Sequence, residues 1–89
     1  MVTLFGRHPV SDYAAWRKVY DEYFPTRHQL GVTGEAVYQS ADDPNDITVT
    51  FDFTTIEAAR AFYNNEQLRA ATQKAGVIGD PTVWIATKI

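Results

Sequence analysis

The chain has 89 residues, a formal net charge of −3 and no cysteine. This length predicts a single domain over residues 1–89, and the missing cysteine excludes thiolate catalysis, cysteine-ligated zinc and iron–sulfur clusters. Its eight lysines and arginines are scattered along the chain, which argues against nucleic acid as a partner. No apolar run approaches the ~20 residues that cross a bilayer, and the first residues lack the apolar stretch of a signal peptide. We therefore expect a cytoplasmic protein that does not enter a membrane.

The first two predicted elements are a strand and an aromatic helix. The strand runs from Val2 to His8 and is rich in β-forming residues. Ser11 or Asp12 then caps a helix whose aromatic side chains recur at helical spacing and so share one face. Pro25 should end or kink this helix, and Gly31 suits the end of the turn that follows. The aromatic residues are Tyr13, Trp16, Tyr20, Tyr23 and Phe24.

A hairpin occupies the middle of the sequence. Residues 32–40 and 47–53 have the composition of strands, and the segment between them is dense in turn-forming residues. Because the connection is short, we expect the two strands to pair antiparallel.

The second helical region begins at a predicted capping box. Thr54-Thr55-Ile56-Glu57 has the required spacing, with Thr54 as the expected N-cap. Asn64 and Asn65 interrupt the helical pattern that follows, which indicates two short helices or one bent helix. A last strand is predicted at residues 82–89.

This element order predicts an α+β ferredoxin-like fold, β-α-β-β-α-β, with helices on one face of a four-stranded antiparallel sheet. Right-handed crossovers send both helical segments to the same side of the sheet. The other face is then uncovered, although aromatic residues are expected on both faces. A second copy of the chain could cover it, which predicts a homodimer. Period-two alternation leaves the phase of each strand open: where Leu4, Val49 and Phe51 point toward the helices, Phe5, Val37 and Trp84 could point away from them.

Two stretches carry a resemblance to a known superfamily. They are residues 8–16, from His8 into the aromatic helix, and residues 49–63, where a strand passes through a capped turn into a helix. With the length and element order of the chain, they resemble the dimeric α+β barrel superfamily, which includes antibiotic-biosynthesis monooxygenase-like proteins, muconolactone isomerase and olivetolic acid cyclase. The resemblance implies a ligand pocket between helices and sheet, a dimer joined through its sheets, and enzymes that often need no cofactor. No cofactor is therefore expected here.

The sequence departs from the cyclase-like members at one position of interest. Those members carry histidines after the second helix, whereas residues 64–69 here read NNEQLR, so that acid–base group is not carried over. Haem-degrading relatives need an axial histidine on a helix, and His28 is a poor match for it. With two histidines at no metal-binding spacing, a metal site is not expected either.

His8 is the main candidate for proton transfer, because histidine is the residue whose ordinary pKa lies near neutrality. If it shares the strand phase of Leu4 and Gly6, it opens into the pocket. The alternative is a strand-end histidine bonded to Asp12 or to a backbone carbonyl. His28 lies in a polar neighbourhood and is expected at the surface.

The aromatic residues could line the pocket, with tyrosine hydroxyls as proton donors, or could simply form the core. The leading hypothesis is a cofactor-independent enzyme, monooxygenase-like or cyclase/isomerase-like, acting on an aromatic or polyketide-like small molecule. The alternative is a non-catalytic dimeric module that binds a small molecule or is structural. Candidate catalytic residues are His8, Tyr20 and Tyr38, and candidate substrate-binding residues are Tyr13, Trp16, Phe62, Tyr63 and Trp84.

Overall fold

A computed structural model describes all residues from Met1 to Ile89. Its strands are β1 (Val2–Pro9), β2 (Gly34–Gln39), β3 (Asp46–Phe53) and β4 (Thr82–Thr87). They form one sheet in the order β2-β3-β1-β4, and every neighbouring pair is antiparallel. This strand order confirms the predicted ferredoxin-like arrangement.

Each crossover contains two short helices instead of one. The first crossover carries α1 (Tyr13–Glu22) and α2 (Phe24–Gln29), and the second carries α3 (Ile56–Tyr63) and α4 (Glu66–Lys74). Pro25 lies in the first turn of α2, where its missing N–H costs nothing, so it starts a new helix rather than bending the old one. No helix has the length and hydropathy needed to cross a bilayer.

Polar side chains cap three of the four helices. The carboxylate of Asp12 accepts a hydrogen bond from the N–H of Ala14 at 3.2 Å, and the amide oxygen of Asn65 accepts one from Leu68 at 3.1 Å. Asp12 is one of the two predicted caps of the first helix, and Asn65 lies at the predicted interruption of the second helical region. The choice of Thr54 for α3 was wrong: Thr55 caps this helix, and its hydroxyl accepts a hydrogen bond from Ala58 at 3.1 Å.

The reason lies in where the helix begins. Thr55 has extended backbone angles, φ −135° and ψ 155°, so the first helical residue is Ile56 and the third is Ala58. Glu57 is therefore the second helical residue and not the third, and the reciprocal bond of a capping box does not form. The negative charge of Glu57 still lies near the positive end of the dipole of α3.

The sheet has an inner face under the helices and an outer face without them. Val2, Leu4 and His8 of β1 are buried on the inner face, together with Val49 and Phe51 of β3. The predicted direction of Val37 was wrong, because its partner across the strands is Val49 and both side chains face the helices. Phe5, Tyr38 and Trp84 lie on the outer face.

The hydrophobic core lies between the inner face and the helices. Phe53 and Ile47 are fully buried, one near each end of β3. Phe62 of α3 packs against two aromatic rings of the sheet, with centroid distances of 5.0 Å to Phe51 and 5.3 Å to Phe53. These contacts fix α3 over the half of the sheet that is filled with large side chains.

The N-cap of α3 can be tested by comparing two adjacent threonines. Thr55→Ala removes the acceptor for the Ala58 N–H and should lower the free energy of unfolding by about 1 kcal/mol. Thr54→Ala removes a side chain that makes no such bond and should stay within about 0.5 kcal/mol of the parent. Urea denaturation measures both variants. Equal losses, or a larger loss for Thr54→Ala, would contradict the assignment of the cap.

Candidate functional site

A cavity of about 410 Å³ lies between the inner face of the sheet and the helices. Fourteen of its 23 lining residues are hydrophobic, with Tyr20 among them, and the others include His8 and two arginines. An apolar cavity with a few polar groups is the usual form of a small-molecule site.

The cavity exists because small residues face each other across it. Gly6 of β1 lies in the middle of the inner face, and an added Cβ there would come within 3.3 Å of a methyl group of Val49. On the opposite side, α4 presents Ala71, Thr72 and Ala75 to the cavity. Because these positions carry small side chains or none, part of the interior stays open.

His8 forms part of the cavity wall and is only 7% exposed. Its Nδ1 atom is buried and has no hydrogen-bond partner in the protein. Asp12, one partner considered from the sequence, bonds to the N–H of Ala14 instead. The imidazole lies beside Trp16, with ring centroids 5.8 Å apart.

The environment of His8 favours its neutral form. Burial lowers the pKa of His8 below the ordinary value of 6.5, and the backbone of His8 itself and then the carboxylate of Asp46 offset this only in part. The imidazole is therefore uncharged at neutral pH and can accept a proton or a hydrogen bond. A ligand with a hydroxyl group or an acidic C–H could meet the imidazole at its other nitrogen, Nε2, because Nδ1 itself has almost no accessible surface.

Aromatic side chains form one wall of the cavity, and we call Trp16, Tyr20, Phe51 and Phe62 the aromatic wall. Tyr20 supplies the polar group of this wall. Its ring stacks on Trp16 with centroids 4.9 Å apart. Burial raises the pKa of Tyr20 to about 12, although the nearby charge of Arg27 acts in the opposite direction. The hydroxyl thus stays protonated at neutral pH and can act as a hydrogen-bond donor rather than as a base.

Arg27 is a buried functional group that the sequence analysis did not single out. It lines the cavity, is 4% exposed, and its guanidinium carbon lies 3.8 Å from the centre of the Tyr20 ring. Its Nε and Nη2 donate to the two carboxylate oxygens of Glu35 at 2.8 and 3.1 Å, and its Nη1 donates to the carbonyl of Tyr20 at 2.6 Å. The pair joins α2 to β2 and to α1 beneath the aromatic wall.

A sequence signal for Arg27 does exist. It follows Tyr20 by seven residues and Tyr23 by four, which continues the buried face of the aromatic helix across Pro25. The polar residues around it suggested a surface segment, and one of them, His28, is indeed exposed. Only the structure shows that the inward-facing Glu35 compensates the buried charge.

The structure brings together five of the eight predicted site residues. Tyr13 is half-buried against Trp16 but does not line the cavity. Tyr38 and Trp84 were placed wrongly in the pocket: they lie on the outer face of the sheet, because Tyr38 is adjacent to the inward-facing Val37 and Trp84 is paired with Phe5. The residues that line the cavity are His8, Trp16, Tyr20, Phe62 and Tyr63.

The neutral state of His8 predicts a dependence of stability on pH. Because folding lowers its pKa, the unfolded chain takes up the proton first, so this contribution to stability is present above pH 6.5 and is lost as the pH falls. His8→Asn should flatten the decline in the free energy of unfolding below that pH, measured by urea denaturation. His28→Asn, at the exposed histidine, should keep the parental slope. An unchanged slope in His8→Asn would contradict the burial of a neutral imidazole.

Comparison with solved structures places this architecture among related folds. A Bordetella bronchiseptica protein with the provisional name antibiotic biosynthesis monooxygenase superimposes with a TM-score of 0.84 at 16% identity, covering 99% of this chain and 96% of the other. SnoaB, a cofactor-independent oxygenase from Streptomyces nogalater, superimposes with a TM-score of 0.75 at 15% identity, covering 99% and 94%. A protein of the same provisional name from Nitrosomonas europaea gives 0.78 at 16%, covering 100% and 99%.

The sequence comparisons do not add to these structural matches. No protein-family model matches the chain, and the comparison with curated proteins gives no match. At identities of 14 to 20%, the structural likeness establishes the fold. The chain therefore has the fold of antibiotic biosynthesis monooxygenase-like proteins, in agreement with the resemblance found in its sequence.

Proposed function

We propose that this protein is a cofactor-independent enzyme, of the monooxygenase or the cyclase/isomerase kind, that acts on an aromatic or polyketide-like small molecule. The observation that carries the proposal is His8, a buried neutral base on the wall of an aromatic-lined cavity. The presence of a cofactor-independent oxygenase among proteins of this fold supports it. The cytoplasmic location expected from the sequence stays a prediction.

Reactions of these kinds share a proton-transfer step that the cavity residues could perform. The neutral imidazole of His8 would accept a proton from a phenolic hydroxyl or from a carbon next to a carbonyl group. The hydroxyl of Tyr20 would donate a hydrogen bond to the oxygen on which negative charge develops. Apolar walls keep water away and strengthen both interactions.

A non-catalytic binding protein is the second candidate, and one observation favours it. Burial that lowers the pKa of His8 also weakens it as a base, and the raised pKa of Tyr20 makes its proton harder to transfer. In this alternative, the same two groups only exchange hydrogen bonds with a bound molecule.

A bicyclic aromatic ketone, 2-tetralone, can separate the two candidates. In D₂O, an enzyme with this arrangement should catalyse the exchange of two protons of 2-tetralone for deuterium. These protons are on the carbon that lies between the aromatic ring and the carbonyl group, and NMR detects their exchange directly. We expect His8→Asn to lower the exchange rate by about 100-fold or more, and Tyr20→Phe to lower it by a smaller factor. The proton leaves carbon for the imidazole, and a deuteron returns by the same route.

His28→Asn is the matched control, because it removes the exposed histidine and should leave the exchange rate unchanged. Binding of 2-tetralone by the parent protein without any exchange above the buffer rate would favour the binding candidate. Exchange that survives in His8→Asn would remove His8 from the proposal.

We also propose that two copies of the chain pair through the outer faces of their sheets. On this face, Phe5 and Trp84 stack with ring centroids 5.3 Å apart and an interplanar angle of 7°, and no element of the same chain covers them. Trp84 is 46% exposed and Tyr38 is 58% exposed. Aromatic side chains of this size are typical of protein interfaces, so Tyr38 would serve in pairing and not in catalysis.

Replacing Trp84 tests the pairing. Trp84→Glu should convert the protein to a monomer in sedimentation velocity experiments at micromolar concentration, because the new charges would face each other in an apolar interface. Ile78→Glu changes a residue of similar exposure outside the sheet and should leave the dimer intact. A monomeric parent protein, or a Trp84→Glu variant that remains dimeric, would contradict this interface.

A further inference from the structure

Arg69 on α4 is an exposed residue that also lines the cavity, and the proton-transfer step assigns it no role. Its Nε donates a hydrogen bond to the carbonyl oxygen of Tyr63 at 3.2 Å. Its guanidinium carbon lies 5.1 Å from the centre of the Tyr63 ring. Both groups belong to the lining of the cavity. The side chain is thus held at the cavity by contacts that leave its two terminal nitrogens, Nη1 and Nη2, without protein acceptors.

The charge of Arg69 is also without a protein partner. The ion pairs of the chain involve Arg7, Arg17 and Arg27, and no carboxylate lies within 4.0 Å of Arg69. Arg27 is the other arginine of the cavity wall, and Glu35 binds it through both carboxylate oxygens. Arg69 is consequently the one cation of the cavity lining whose charge no carboxylate offsets.

The negative charge near the cavity lies in a concavity that includes His8. Asp80 lines the cavity and also a neighbouring concavity that it shares with His8, Asp43 and Asp46. Of these aspartates only Asp46 has a cationic partner, Arg7. A negatively charged ligand group would be repelled from the His8 side and attracted toward Arg69.

We propose that Arg69 is a specificity-determining residue that binds the carboxylate of an aromatic acid whose ring system occupies the cavity. The planar fork of a guanidinium matches the two oxygens of a carboxylate, which a lysine could not reproduce. The ring system would lie along Trp16, Tyr20 and Phe62, with its charged end at the α4 side. The inference rests on the proposed function in that it gives a chemical class to the molecule bound in the same cavity.

Two probes of equal shape test the role of Arg69. The parent protein should bind 2-naphthoate about tenfold more tightly than neutral 2-naphthamide, as measured by isothermal titration calorimetry at low ionic strength. Arg69→Gln should reduce this ratio to about one by weakening 2-naphthoate alone. Arg69→Lys keeps the charge without the fork and should retain only part of the preference.

Arg60→Gln is the matched control. It removes the same charge from an exposed arginine of α3 that does not line the cavity, so it should keep the parental ratio. Equal affinity of the parent protein for both probes would overturn the proposal. It would also be overturned if Arg69→Gln and Arg60→Gln lost affinity for 2-naphthoate to the same extent. If neither probe binds to the parent protein, the proposal is overturned as well. Exchange of 2-tetralone protons is measured separately, so failure of the carboxylate preference is distinguishable from failure of the proton chemistry.

Discussion

The site depends on a shortage of side-chain volume between β1 and α4. Large aromatic residues from α1, α3 and β3 fill one half of the interior, and Phe62 alone contacts two rings of the sheet. Elsewhere the cavity lining includes residues with small side chains or none, Gly6 of β1 and Ala71 and Ala75 at α4 and its C-cap. An unfilled volume gives up dispersion contacts that a packed core would have. These dispersion contacts are missing in the part of the interior whose lining includes His8.

The buried ion pair determines what kind of surface the cavity presents. Arg27 lies under the ring of Tyr20, and without Glu35 its charge would dominate the electrostatics of the whole wall. With both carboxylate oxygens bound to it, the part of the wall around Tyr20 consists of a neutral imidazole, a protonated phenol and apolar rings. The pair also joins α2 to the edge strand β2, so the same contact that hides the charge fixes the aromatic helix over the sheet.

Local signals in the sequence predicted most of the fold. Alternation in β1 placed Leu4 and His8 on one face correctly, and the proline and asparagine signals located the breaks between paired helices. The predictions were wrong where a shift of one residue along the chain changes which side chain faces the core or caps a helix. Val37 and Tyr38 exchanged faces because alternation does not say which residue of β2 pairs with which residue of β3. Thr54 and Thr55 are equivalent as sequence, and only the start of α3 selects between them.

The functional groups divide in a similar way. His8 and Tyr20 were found from residue type and helical or strand phase. Arg27 and Arg69 were not, because what sets them apart is a partner distant in the fold for Arg27 and the absence of a carboxylate partner for Arg69. Nothing in a linear pattern states that a particular carboxylate lies near one arginine and far from another.

The position of α4 bears on how such a protein could evolve. Only Ala71 of this helix is buried, yet six residues between Leu68 and Ala75 contribute to the cavity lining. Substitutions along this helix would alter the shape and charge offered to a ligand while removing few of the contacts that hold the core together. In this fold, the capacity to change ligands is thus concentrated in an element that the stability of the protein hardly constrains.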